Sequence, residues 1–247
     1  MPVVELRSPR LNPDAPWVGV DNHAMGQIVA DHLMQRGFRH FGVYELGTES
    51  YFEERRSNFV DTVTAAGYRC STYQPAGPPE EPLARERHQE ALSRWVRSLP
   101  KPVGIMACTD QLGFFLLEAC ARAGIVVPEE VAVVGVENEE SLCTMAVPML
   151  SSVQFDAERI GYEAAAVLAR LMRGEAPPAG PQLIEPLGGV VRGSSGCASC
   201  WSRPISNPSS TVGRDPEWVR PENPRFSRYS MLAAANPGAT PFPGSLT

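Results

Sequence analysis

Short apolar runs alternate along this chain with stretches in which apolar residues recur every three or four positions. WVGV (17–20), HFGVYEL (40–46), YRCSTY (68–73), VGIMAC (103–108) and VAVVGV (131–136) are runs of the length and β-branched or aromatic content that predicts strands. Between them lie helical stretches with clear stop signals. One runs from about Asn22 to Gln35 and closes at Gly37. A second opens at Ser50 and Glu53, which have capping-box spacing, and ends at Gly67. A third runs from about Arg85 to Leu99 and stops at Pro100. The fourth carries Leu112, Phe115, Leu116, Ala119 and Ala123 on one face, with Asp110 expected as its cap and Gly124 as its end. The last begins at Asp156, aligns Ile160, Ala164, Val167, Leu168 and Leu171, and closes at Gly174.

Strand–helix alternation with continuously apolar strands predicts an α/β fold, its parallel sheet covered by helices on both faces. Such sheets bind ligands beyond the carboxyl ends of their strands. Two strands end there in polar groups: Thr109 and Asp110 after VGIMAC, and Glu137 and Asn138 after VAVVGV. Each also has an ordinary structural reading, Asp110 as a helix cap and Glu137 as a turn residue. Two adjacent strands ending in carboxylates favour a site.

Composition narrows the function. The chain has 247 residues, 43% hydrophobic and 20% charged, with a net charge of −6. An acidic surface does not attract phosphate backbones. Arg85, Arg87, Arg94 and Arg97 form the densest basic cluster, but Glu86 and Glu90 interrupt it, and it reads as a solvated helix face. No window approaches the ~18 apolar residues of a membrane span. The start, MPVVELRSPR, lacks a basic-then-apolar signal pattern, so a cytoplasmic location is expected. Cys70, Cys108, Cys120 and Cys143 sit singly in apolar surroundings, as reduced core thiols do. Cys197 and Cys200 make one CxxC without a second ligand pair, and His23, His32, His40 and His88 never pair at metal spacing, so no metal is expected. No GxSxG, GxGxxG or GxxxxGK[ST] joins a strand to a helix. Neither an enzyme nor a cofactor is indicated.

From Gly193 to Thr247 the character changes. These 55 residues hold 8 Pro, 5 Gly and 10 Ser and keep no apolar periodicity. Such a stretch cannot bury enough surface to offset its chain entropy, and a disordered or foreign tail is expected.

Several motifs occur in an order that resembles the LacI/GalR-type effector domain. They are VGVDNHAMGQIVADHLMQRGFRHFGVYE, then ERRSNFVDTVTAAGY with Arg55 four residues before Phe59. GIMACTDQLGFFLLEACARAGIVVPEEVAVVGVENEE and LSSVQFDAERIGYEAAAVLARLMRGE follow. The likeness spans residues 2 to 192 and is strongest to the xylose-responsive branch. It implies a periplasmic-binding-protein-like type I fold, two α/β lobes with a sugar between them. Residues 1–37 and 155–178 would form the N-terminal lobe, incomplete by comparison with the family. Residues 38–154 and 181–192 would form the C-terminal lobe. The resemblance further implies a sugar-responsive transcription regulator, a homodimer when full length. Such a regulator would contact DNA only through a helix-turn-helix domain that has no counterpart in this sequence. A fragment of that kind would leave apolar sheet edges open and would be poorly soluble. A transport-type sugar-binding protein shares the fold and would need a secretory signal. A small α/β enzyme would need the nucleophile or cofactor motifs that are missing.

Carried over position by position, the resemblance puts Asp21, Asn22, Arg55, Asp110, Glu137 and Asn138 at the sugar. The chemistry suits a pyranose, whose hydroxyls both donate and accept: carboxylates accept, Asn does both, and Arg donates in a planar fork. Asp21 and Asn22 read equally as the cap of their own helix. Arg55 also reads as a helix residue in a salt bridge, and Arg56 as solvent-facing. The family places Asp where Glu137 stands. The longer arm moves the carboxylate outward by about 1.5 Å, which either selects a smaller ligand or leaves the contact to Asn138.

Overall fold

The computed structural model describes residues 1–6, 14–47, 50–75 and 82–196. The strands are β1 (Val18–Val20), β2 (His40–Tyr44), β3 (Cys70–Tyr73), β4 (Val103–Ala107), β5 (Val131–Glu137), β6 (Ser151–Gln154), β7 (Gln182–Ile184) and β8 (Gly188–Val190). The helices are α1 (Asn22–Gln35), α2 (Ser50–Ala65), α3 (Pro82–Ser98), α4 (Asp110–Ala123), α5 (Glu140–Met145) and α6 (Ala157–Met172). Six strands form one sheet in the order β3-β2-β4-β5-β6-β8, parallel except for β8, which runs antiparallel to β6. β1 and β7 pair in parallel as a separate two-stranded sheet.

Every residue of β4 is buried, and so is β5 up to its last position. That is why both read as unbroken apolar runs: helices cover the sheet on each face. Met25 and Leu33 of α1 lock onto it with Phe59 of α2 and Leu112 and Leu116 of α4, all in one continuous core. A second, small core joins Val18 and Ile184 of the two-stranded sheet to Ala164 and Val167 of α6.

The signals at the helix ends act largely as read. The Asp21 carboxylate accepts the Ala24 N–H at 3.0 Å and caps α1. Asp156 caps α6 by accepting from Arg159 N–H at 2.9 Å. Gly124 ends α4 in the left-handed conformation, φ 69°, where a side chain would be strained. The cap of α4 differs from expectation. Thr109, not Asp110, accepts the Leu112 N–H, at 3.3 Å, and so frees Asp110 for another task. α3 begins at Pro82, three residues earlier than the apolar pattern suggested, with proline at the first helical position, which has no intrahelical N–H to lose.

Three segments bear on the expected lobe boundaries. α1, on the near side of the division expected at residue 37, shares the core of the six-stranded sheet. β7 belongs with β1, because Ile184 fills the small core, and only β8 returns to the large sheet. The boundary at residue 193 falls inside the described fold. Ser194 Oγ accepts the Ser151 N–H at 2.8 Å and donates to the Val133 carbonyl at 2.6 Å, both buried. Residues 197–247, with Cys197 and Cys200, lie outside the described residues, as does most of the Pro/Gly-rich loop before α3. No described helix is long and apolar enough to cross a membrane.

Candidate functional site

Arg55 is the centre of what gathers beyond the carboxyl ends of β4 and β5. It projects from α2 and is buried. Its Nε donates to Asn22 Oδ1 at 2.9 Å. Its Nη1 donates to the Cys108 carbonyl at 2.6 Å and to Glu137 Oε1 at 3.2 Å. The guanidinium stacks over the Tyr51 ring at 4.8 Å. Residues from α1, α2, β5 and the position just after β4 thus fix one planar cation, and no hydrogen bond to Nη2 occurs among the described residues. Asn22 is held in turn, its amide donating to Glu54 Oε2 at 2.9 Å.

These groups line a cleft of about 380 Å³ between the two modules. Asn22, Arg55 and Glu137 give it its polar side. Trp17, Tyr51 and Phe155 give it aromatic walls. The two charges in the lining oppose each other. An arrangement of this kind suits a neutral polyhydroxylated ring, whose C–H faces lie on aromatic surface while its hydroxyls meet donors and acceptors. Burial raises the Glu137 carboxyl above its ordinary value, and the neighbouring Arg55 draws it back.

The turn that presents Glu137 is strained. Glu137 and Asn138 have φ of 115° and 54°, in the left-handed half of conformational space that residues with a Cβ rarely adopt. Three bonds hold it. The Asn138 N–H donates to Ser152 Oγ at 2.9 Å, Ser152 Oγ donates to Asp110 Oδ1 at 2.5 Å, and the Glu139 N–H donates to Asp110 Oδ2 at 2.6 Å. Gly135 lets Asp110 come this close, since a Cβ there would collide with the carboxylate. Asp110 is fully buried, and desolvation raises its carboxyl to about 6 against the pull of these hydrogen bonds.

Of the six residues expected at the sugar, the structure brings Asn22, Arg55 and Glu137 into the cleft lining. Asp21 spends its carboxylate on the α1 cap. Asp110 lies beneath the turn and does not line the cleft, because its oxygens are already engaged by Ser152 and Glu139. Asn138 accepts from Arg192 Nη2 at 2.8 Å and donates to Gln154 at 3.4 Å, beside the lining and not in it. Arg56, expected to face solvent, pairs through Nε with the buried Glu45 at 2.7 Å. Trp17, Tyr51, Phe155, Ser152 and Arg192 were not legible as site residues. Their roles depend on the folded chain: Ser152 meets Asp110 42 residues away and Arg192 meets Asn138 54 residues away, while the aromatic walls come from separate elements. As a check on the capping role, Asp21→Ala is expected to cost about 1 kcal/mol of stability in urea unfolding while leaving ligand affinity within twofold.

A sheet whose carboxyl ends face a second module across a polar, aromatic-walled cleft is the arrangement of a two-lobed small-molecule-binding domain. Residues 30–195 match the periplasmic binding protein-like domain, and the chain belongs to that family. It is 34% identical over 178 residues to the xylose operon regulatory protein of Haemophilus influenzae, covering 71% of this chain and 46% of that one. The protein of the same name from Escherichia coli K12 is 32% identical over 186 residues, covering 74% of this chain and 47% of that one. Among solved structures, the xylose-binding transcription activator XylR superposes with a TM-score of 0.73 at 30% identity, over 80% of this chain and 53% of that chain. A periplasmic binding protein/LacI transcriptional regulator from Alkaliphilus metalliredigens, complexed with D-xylulofuranose, superposes at 0.68 with 19% identity, over 78% of this chain and 70% of that chain, and shares the fold. The chain spans about half the length of the curated relatives it matches.

Proposed function

We propose that this chain is the sugar-sensing part of a cytoplasmic transcription regulator that responds to xylose or a related neutral pentose. It carries no catalytic role in this reading. The observation that supports it best is Arg55. A buried cation in the cleft lining is fixed by Asn22, Cys108 and Glu137 and has aromatic walls beside it. Glu137 and Arg55 together offer an acceptor and donors at a spacing that neighbouring sugar hydroxyls bridge. A hydroxyl of the wrong configuration leaves one of these charged groups unpaired, which is how such a site discriminates stereoisomers. The kinship with xylose operon regulatory proteins supports the same ligand class.

In the full-length regulator, sugar closes the two lobes on each other. In a homodimer, closure changes the spacing of helix-turn-helix domains lying outside residues 1–196, through which DNA is contacted. Isothermal titration with D-xylose tests the reading. One-to-one binding is expected, weakened at least ~10-fold by Glu137→Gln, which removes one charge-assisted acceptor. Absence of binding heat with any pentose or hexose, from protein with an intact α/β circular dichroism spectrum, overturns it.

A further inference from the structure

The structure assigns Asp110 the part of a positioning residue. Its ionised carboxylate holds the β5 turn in the shape that presents Glu137 to the ligand, and protonation of that carboxylate loosens the site. The inference rests on the sugar-binding reading for its consequence, but not for its geometry. Asp110 touches no part of the cleft lining. Its two strong donors are the Glu139 N–H and the Ser152 hydroxyl, and through Ser152 it reaches the Asn138 N–H. All three donors serve the two residues at positive φ or their immediate neighbour, and such a conformation persists only where its surroundings over-determine it.

The state of charge matters because ionised Asp is acceptor-only. Both its oxygens take a hydrogen bond, and both bonds are of the stronger charge-assisted kind. A protonated carboxyl carries a hydrogen on one oxygen. Ser152 Oγ already accepts from Asn138, so the chain Asp110–Ser152–Asn138 must reorganise or weaken. The groups facing Asp110 are few. Glu137 of β5 disfavours its charge, Cys143 of α5 donates weakly, and Ser152 of β6 and the Glu139 amide favour ionisation. Burial dominates these effects and lifts the carboxyl to about 6, within reach of mild acid. The sign follows. Buried charge costs global stability above about pH 6, and that cost is relieved as pH falls from about 6 towards 4. The turn behaves oppositely, losing its strongest bonds over the same range. Sugar affinity therefore falls with acidification, while this carboxyl's own contribution to global stability does not.

Three measurements on the intact chain test this, with D-xylose as probe. Wild-type affinity is expected to fall about tenfold between pH 7.5 and pH 5. Asp110→Asn is expected to bind roughly tenfold more weakly at pH 7.5, to show a flat profile from pH 7.5 to 5, and to melt no lower than wild type at pH 7.5. Glu137 titrates in the same cleft, so an Asp110→Asn profile that still falls assigns the pH dependence to Glu137 and overturns the proposal. Amide hydrogen exchange supplies a readout that needs no ligand. Relative to their intrinsic rates, Asn138 and Glu139 are expected to exchange about tenfold faster in Asp110→Asn, with Ile105 and Met106 in β4 unchanged. Unaltered protection at Asn138 and Glu139 overturns the positioning role whether or not xylose binds. Faster exchange without sugar binding to the wild type upholds the role and places the failure in the ligand assignment.

Discussion

Arg55→Ala is expected to weaken D-xylose binding by at least ~100-fold and to lower the stability of the domain by roughly 2–4 kcal/mol. The guanidinium sits at the junction of four elements, and deleting it leaves each of its partners short of a donor at once. Asn22 Oδ1 and the Cys108 carbonyl lose their bonds in a buried setting. Glu137, with about a third of its side chain exposed, loses its counter-charge and recovers part of that loss through water. The stability estimate therefore stays below that of a fully buried pair. Arg55→Lys separates charge from geometry. An ammonium cannot reproduce the planar fork that meets Asn22, Cys108 and Glu137 together, so Lys is expected to restore part of the stability and little of the affinity. Urea unfolding and isothermal titration on the three proteins decide the matter. Wild-type affinity in either variant would remove Arg55 from the site.

Gly26→Val is expected to cost about 3 kcal/mol and to reduce sugar affinity together with stability. α1 passes α2 so closely that a Cβ at Gly26 would lie 2.5 Å from the Arg55 carbonyl oxygen and 2.9 Å from the Phe59 nitrogen. Both obstacles are backbone and cannot swing aside, so the helices must part. Asn22 lies one turn before Gly26, and Arg55 itself borders the crossing. Separation therefore strains the 2.9 Å Asn22–Arg55 bond as well as the packing of Met25 and Phe59. Gly161 in α6 provides the contrast. A Cβ there meets nothing within 4 Å, and Gly161→Ala is expected to be neutral or stabilising by a few tenths of a kcal/mol. A Gly26 variant as stable as the wild type in chemical denaturation would mean that the two helices have slack the structure does not show.

Three of the residues expected at the sugar line one cleft, and the signals that pointed to them differ in kind. Glu137 stood out as a carboxylate at the end of an apolar strand, whereas Arg55 was named only through the family resemblance, since nothing in the local pattern shows that it is buried. Asn22 too came only from the resemblance, because beside Asp21 it reads equally as part of a helix cap. Asp110 was expected at the ligand, and its hydrogen bonds run instead to Ser152 and the Glu139 N–H. A carboxylate at a helix start looks the same in sequence whether it caps the helix, meets a ligand or braces a neighbouring turn. Here Thr109 takes the cap and Gly135, 25 residues on, opens the room that lets Asp110 brace β5. The aromatic walls escaped notice because Trp17, Tyr51 and Phe155 belong to separate elements, and only the folded chain makes them neighbours.

The sequence by itself determined the alternation of strands and helices, most of their ends, the parallel sheet and the carboxyl edge of the sheet at which Asp110 and Glu137 lie. These follow from local rules: apolar period, caps, glycines at positive φ, and the burial that continuous apolar strands require. The tertiary structure alone decided which module each segment joined. It moved α1 into the large core and β7 into the small one, and it drew Ser194 and Ser195 into the fold. It also decided which polar groups face the cleft and which hold the others in place. Those choices rest on strand order, helix crossing distance and hydrogen bonds between residues tens of positions apart, and local pattern carries no record of them.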